Sequence, residues 1–485
     1  MNQRIKILLS LAVCLIPGFS VFSQSGLILY GNRDNPLYNP SFLNEGVLNE
    51  VTVFPLSSFE TDISLPFSFH QLFTSQQNGN YAIDLGLLTQ KASIHNTLMM
   101  NATAGYLSYT TNIKSQRWMF RFSEQAVAAV QFEKDLINFL DKGNSSYKGE
   151  WFETNLPLRF THYSTLQANT SRTVTDQLKI GWAAKLYFGK SGVNSRTNFK
   201  LFTHENAEYI QVIQSGKVLA SLPVDRNINP KGHVNGWQIT PSLTPLNYLF
   251  QFRNPGLGID VGIDYKYNKN WNFSAALIDL GFIAWFGNIN SMNIEGEYLW
   301  DGFDISELAQ YRYNDQFFNE IRNTSLADSF LFSALKPSDQ PFLTLAPLKF
   351  IVETNYIISN QFNFSAINQI VLFNGMLRES VLLMGNYLIG EKYNFSAGLS
   401  YINHSVLNLP VGLNYKGNRF IATISINNLW GLFLPAFSSS HGGSFYLAYK
   451  FRFSPEEEQN KIYPFYQPFH FKKKKNNKLD LPESQ

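Results

Sequence analysis

Four stretches of this sequence bring together residues of the types that do chemistry. Gly189-Lys190-Ser191 has the ending of a phosphate-binding loop, where backbone amides and a lysine cradle phosphate oxygens. The leading glycine of that motif would fall at position 184, which is Ala184, so the tripeptide reads as a turn after a strand. Gly256, Gly258 and Gly262 fall short of the dinucleotide fingerprint because position 261 is Val261; they read as residues that keep an inward strand face small. A lipid hydrolase built on a barrel wall needs Ser and His side by side on one face. His404 and Ser405 are adjacent, which on a strand sends them to opposite faces, and His441 and Ser444 are three apart, with the same result. The eight histidines form no His-x-x-x-His metal pair, and a single cysteine excludes a Cys-built metal site or a disulfide framework. The reading is therefore of a protein that is not an enzyme, with no catalytic residue, metal or cofactor assigned.

The elements that would carry any other chemistry are strands. Leu178, Ile180, Trp182, Ala184, Leu186 and Phe188 alternate with Lys179, Gly181, Ala183, Lys185 and Tyr187. Leu257 to Tyr267 repeats the split against Gly258, Asp260, Gly262, Asp264 and Lys266, and Phe445 to Phe453 repeats it against Tyr446, Ala448, Lys450 and Arg452. A soluble sandwich also alternates, with its apolar face on a packed core. In a membrane barrel the apolar face meets lipid and the polar face meets the lumen. On that reading Lys179, Lys185, Asp260, Asp264, Lys266, Lys450 and Arg452 face the lumen, hydrated or paired.

Three features favour the barrel. Trp271-Asn272-Phe273, Phe362-Asn363-Phe364 and Tyr393-Asn394-Phe395 each open a strand after a tight polar turn, placing two aromatics on one face, as an interfacial girdle does. Short connections at 268–270, 358–361, 389–392 and 416–418 alternate with mostly longer ones, including 284–343 and 429–443. The final strand ends on Phe453 with alternate aromatics, like the closing strand of bacterial outer-membrane barrels. The fold expected is all-β, a transmembrane antiparallel β-barrel of 14–16 strands with short helical loop insertions and a candidate N-terminal plug. The count of about sixteen treats 177–190, 192–203 and 207–220 as three separate strands. Closure follows because an open edge in lipid leaves unpaired backbone groups costing several kcal/mol each.

Around the 47–453 barrel stand three other segments. Residues 1–23 read as a signal peptide, with Arg4 and Lys6 before an apolar run and cleavage before Gln24. Cys14 goes with that leader; the bulky Val13 argues against its being a lipid acceptor. Residues 24–46, with two Asn-Pro steps, are extended and turn-rich. The 454–485 tail, Glu456-Glu457-Glu458 followed by aromatics and Lys472 to Lys475, reads as flexible, either a periplasmic tether or a solvated end. Helices are expected at 131–141, with Phe132, Leu136, Phe139 and Leu140 on one stripe, and within 305–322; they could cap the lumen or be surface excursions. With 39 basic and 36 acidic residues, charge points to no nucleic-acid partner.

The opening Asn39-Pro40, Gly143-Asn144-Ser145-Ser146-Tyr147-Lys148-Gly149, Gly256-Leu257-Gly258-Ile259-Asp260-Val261-Gly262, Asp279-Leu280-Gly281-Phe282-Ile283-Ala284-Trp285 and Asp301-Gly302-Phe303-Asp304-Ile305 carry a resemblance. With them, most of 24–453 resembles a Bacteroidota family of exported β-barrels of unknown function, itself similar to FadL-like long-chain fatty acid transporters. The resemblance implies that residues 24–46 form a lumen hatch, and it transfers no substrate-contacting residue. The expectation is an outer-membrane protein with both termini periplasmic. It would act as a passive transporter or channel for small hydrophobic or amphipathic molecules, its partners being outer-membrane lipid and such a ligand. The alternative is a non-transporting scaffold whose loops and tail bind a periplasmic protein partner through 454–485.

Overall fold

The computed structural model describes residues 35–43, 49–52, 57–68, 74–75, 81–82, 84–114, 116–206, 209–230, 232–240, 244–300, 335–390, 392–402, 408–428 and 442–453. The leader, residues 24–34, the helical candidate at 305–322, His404, Ser405, His441 and the 454–485 tail lie outside the described residues.

Fourteen antiparallel strands close into a barrel. They are β1 (two segments, Asn49–Thr52 and Ser58–Ser64), β2 (His95–Ile113), β3 (Gln116–Glu133), β4 (Leu158–Thr173), β5 (Leu178–Thr203), β6 (Asn254–Lys266) and β7 (Trp271–Trp285). The second half is β8 (Phe342–Leu345 and Leu348–Ile357), β9 (Phe362–Phe373), β10 (Met376–Ile389), β11 (Tyr393–Ile402), β12 (Val411–Lys416), β13 (Phe420–Ile426) and β14 (Gly442–Phe453). Each strand pairs with the next, and β14 returns to β1 through Asn49↔Phe453 and Ser58↔Ala448, so no seam is left open. Among the described residues no helix is long and apolar enough to cross a membrane.

The count resolves at fourteen because two of the sixteen expected strands are not wall strands. Residues 192–203 continue β5, which runs for 26 residues. The segment Ile210–Ser221 pairs with that continuation and with Met292–Trp300, forming a small sheet beyond the rim with Leu335–Pro337 at one side and Trp151–Asn155 at the other. Gly189-Lys190-Ser191, read as a turn, instead lies inside β5, where Lys190 is the extra residue of a bulge opposite His162 and Tyr163. One end of the barrel carries both of its chain ends and the turns near 114, 174–177, 267–270, 358–361, 390–392 and 417–419. The longer connections lie at the other end, where Asn374-Gly375 is the one tight turn among the described residues.

Among the described residues, three short α-helices belong to the long-loop end: α1 (Leu85–Lys91), α2 (Lys134–Lys142) and α3 (Pro245–Leu249). The sequence expectation for α2 needs correcting. The residue it buries is Ile137, against Phe67, Leu88 and Ala92, while Phe132 still belongs to β3 and Leu140 is exposed.

Inside the wall, apolar packing gathers around Trp285. Its ring is fully buried with Tyr163, Tyr187 and Ile283, and its Nε1–H donates to Thr344 Oγ1 at 2.9 Å. Gly189 and Gly192 make room for it: a Cβ at either would approach the ring to 2.7 or 2.6 Å. Trp285→Ala is expected to lower unfolding stability by about 3–5 kcal/mol, the usual cost of emptying such a site. Urea titration of the vesicle-inserted protein measures it, and an unchanged midpoint would show that the cavity collapses without loss.

Candidate functional site

Residues 35–43 lie within the barrel. Asn39 starts a 3-10 turn at Pro40–Phe42, its Oδ1 accepting from the Ser41 amide at 3.0 Å and from Ser41 Oγ at 2.6 Å, while Pro40 supplies the preset φ at the first helical position. The wall then satisfies the segment's backbone. Asn169 Nδ2 donates to the Pro36 carbonyl at 3.1 Å, and Ser171 Oγ and Lys179 Nζ donate to the Leu43 carbonyl at 2.9 and 2.7 Å. Asn39 Nδ2 in turn donates to the Ile263 carbonyl at 3.2 Å, and the Tyr38 hydroxyl donates to Glu60. Tyr38 and Phe42 pack on Ile278, Ile351, Ile367, Leu382 and Met384, burial worth about 1.5–3 kcal/mol for each large side chain.

The seat is a notch made by two glycines paired directly across β5 and β6, Gly181 and Gly262. A Cβ at Gly181 would clash with the Pro40 carbonyl carbon and the Ser41 nitrogen, and one at Gly262 would clash with Asn39 Oδ1, each far inside van der Waals contact distance. Only a residue without a side chain lets the segment approach the wall this closely.

Next to the plug, a buried layer of charge ties β5 to β8. Lys185 Nζ contacts Asp260 Oδ2 at 2.7 Å and Asp279 Oδ1 at 2.6 Å, and Lys349 Nζ lies 3.4 Å from Asp279 Oδ2. Tyr187 donates its hydroxyl to Asp279 at 3.1 Å. Asp279 reaches the interior through a bulge in which Ile278 and Asp279 together oppose Asp260, with Asp279 at φ +61° and its amide donating to Asp260 Oδ1 at 2.7 Å. Arg378 pairs with Asp62 farther round the wall. At the short-turn mouth, Glu50 is held by Arg452 at 3.1 Å, Lys450 at 3.3 Å and Arg117 at 3.9 Å.

The cavities between these groups are small: about 90 Å³ beside Glu50, Arg117, Lys450 and Arg452, about 50 Å³ beside Arg121, Lys185 and Asp279, and about 30 Å³ beside Asp62 and Arg378. Each has room for a few waters, far below the several hundred Å³ of a site for a drug-sized ligand.

Of the lumen candidates, Lys185 and Asp260 are brought into contact, Lys179 reaches the plug, Lys450 and Arg452 meet at Glu50, and Asp264 is buried. Lys266 is exposed beside the 174–177 turn, its amide donating to the Gln177 carbonyl at 2.8 Å. Trp271, Phe273, Phe364, Tyr393 and Phe395 are exposed at the short-turn end, and Phe362 stands edge-on to Phe364 at 4.9 Å. Trp271 stacks on Phe273 at 6.2 Å and meets Tyr356 at 4.7 Å. Sequence reasoning missed Asp279, Lys349, Glu50 and Arg378. Asp279 was hidden because strict alternation from Trp271 puts it on the outward face and only the bulge turns it inward.

These features define a closed β-barrel with a charged interior and residues 35–43 seated on its inner wall. The chain belongs to DUF5723, a family of unknown function, whose sequence profile matches residues 49–425. No curated protein matches it. Solved structures similar to it include the TodX deltaS2S3 mutant monoaromatic hydrocarbon channel, at 10% identity over 90% of this chain and 96% of that one, with a TM-score of 0.38. The toluene transporter TbuX of Ralstonia pickettii is 10% identical over 90% and 94%, with a TM-score of 0.34. A Pseudomonas aeruginosa FadL homologue is 10% identical over 90% and 93%, with a TM-score of 0.33. With TM-scores below 0.5, none of them informs the reading of this interior.

Proposed function

We propose that this chain is an outer-membrane barrel that passively admits small hydrophobic or amphipathic molecules, its lumen closed at rest by its own residues 35–43. The carrying observation is the plug's attachment: two aromatic side chains and a handful of hydrogen bonds on a glycine notch, a contact that can be broken without breaking the wall. The outward faces of β5 and β6, rows of Leu, Ile, Val and aromatic residues, suit hydrocarbon, and Trp271, Phe273, Phe362, Phe364, Tyr393 and Phe395 suit the inner interface. On that orientation the short turns and both termini are periplasmic, residues 1–23 serve export, and residues 24–46 are the hatch.

A second reading, an anchor that transports nothing and binds partners through its loops and tail, is favoured by the small size of the cavities. Uptake separates the two. Vesicles carrying the full chain should take up amphipathic solutes faster than protein-free vesicles and discriminate among them. Rates equal to protein-free vesicles for every solute would leave the anchor.

A further inference from the structure

The lipid-facing rows of β3, β4 and β5 change character at one level. Phe122, Leu166, Leu186 and Leu257 form a cross-strand row on the outward face. The next outward row is Glu124, Ser164 and Phe188, and the one after it pairs Ala126 with His162 and His162 with Ser191. The bulge at Lys190 brings a lysine to the same patch. Glu124 Oε2 lies 3.0 Å from His162 Nε2, Glu124 Oε1 accepts from Ser164 Oγ at 2.8 Å, and Lys190 pairs with Glu124. A carboxylate, an imidazole and an ammonium therefore share the outward face with these apolar rows, and a bare lysine facing hydrocarbon costs up to about 2–4 kcal/mol, a bare carboxylate less.

They are not bare. The α3 segment folds back over them: the Tyr248 hydroxyl is 2.7 Å from His162 Nδ1 and 2.8 Å from Ser191 Oγ, and Lys190 donates to the Leu249 carbonyl. Ser191 and His162 are thus bridged by Tyr248 and make no hydrogen bond to each other. Thr244 caps the segment through the Asn247 amide at 3.2 Å. Phe252 packs edge-on against the outward Phe188 at 4.9 Å. The segment's other side is apolar and exposed, Leu246 by 67% and Phe250 by 56%, and Phe252 at its edge keeps 49% of its surface exposed while touching Phe188.

Resting on the outer-membrane placement proposed above, we propose that residues 244–252 are a lid immersed in the outer leaflet. Leu246, Phe250 and Phe252 face acyl chains, and Tyr248 seals Glu124, His162, Lys190 and Ser191 from them. The partner committed to is the lipid itself, because the lid's apolar side continues the outward row of Phe188 and Leu186.

Nitroxide labels test this cleanly. The chain's one cysteine is Cys14, so a Cys14→Ser background carries no competing thiol. Leu246→Cys, Phe250→Cys and the wall reference Ile259→Cys would be labelled singly in phosphatidylcholine–phosphatidylglycerol vesicles and read by oxygen and nickel-chelate accessibility. The expected result is oxygen-dominated relaxation at 246 and 250, as at 259. Nickel-dominated relaxation at 246 and 250 with an oxygen-dominated 259 overturns the lid; a nickel-dominated 259 instead overturns the membrane placement on which it rests. Adding Tyr248→Phe should raise nickel accessibility at 246 several-fold, and no change there would overturn Tyr248 as the anchor.

Discussion

Gly181→Val is expected to open the barrel. The new side chain meets the backbone of Pro40 and Ser41, which no rotamer change can move aside, so the whole turn must leave its seat. Overpacking of this kind costs about 1–3 kcal/mol, and more where backbone is struck. Departure forfeits the hydrogen bonds from Asn169, Ser171, Lys179 and Asn39, each worth about 1 kcal/mol net. Gly262→Val should act more weakly, because its Cβ meets the Asn39 side chain, which can rotate at the expense of the turn's cap. In planar bilayers, Gly181→Val should give channel openings absent from the unmodified protein, and added protease should cut near Tyr38. Ala184→Val, on the exposed face of the same strand, is the control and should stay closed. Silent bilayers for Gly181→Val, with residues 35–43 still resistant to protease, would show that the plug does not close the lumen.

How much of this could be read from residue order depends on whether a feature obeys period two. The strands did where they obey it, as in 178–188 and 257–265, which are apolar outward and polar or small inward, and Lys185 and Asp260 could be placed on one face from alternation alone. The smallness of Gly258 and Gly262 was equally visible, but its cause was not: Gly258 makes room for Tyr187, and Gly262 for an asparagine more than 200 positions away. Bulges broke the pattern where it mattered most. The one at Asp279 moved a carboxylate from the lipid column into the ion-pair layer, and the one at Lys190 made the middle of a 26-residue strand look like its end. The patch of Glu124, His162 and Ser191 was out of reach for a different reason. It depends on cross-strand register, which is set by the closure of the whole cylinder rather than by any local run.

Lys185→Met should destabilise the barrel by about 3–5 kcal/mol, because it leaves two buried carboxylates without the ammonium that joins them. The two acids are unequally exposed to the loss. Asp279 retains Lys349 at 3.4 Å and the Tyr187 hydroxyl, whereas the remaining charged contact of Asp260 is with a like charge, softened only by the Asp279 amide. The second substitution that repairs the damage should therefore be Asp260→Asn, which removes the stranded charge and keeps an oxygen to accept from Asp279. Asp279→Asn in the same background should repair less, since it removes the acid that Lys349 already holds and leaves Asp260 charged. Lys349→Met alone should cost less than Lys185→Met, because Lys185 still holds both acids. Urea unfolding in lipid vesicles, followed by the mobility difference between folded and unfolded barrel on unheated gels, gives all of these values in one series. Equal losses for Lys185→Met and Lys349→Met, or no recovery with Asp260→Asn, would mean that the layer is hydrated and the strands β5 to β8 are held by their ladders alone. The same series bears on the plug, for Lys185 stands four positions from Gly181 on the same face of β5. A wall loosened at Lys185 should release residues 35–43 more readily, and Asp260→Asn should seat them again.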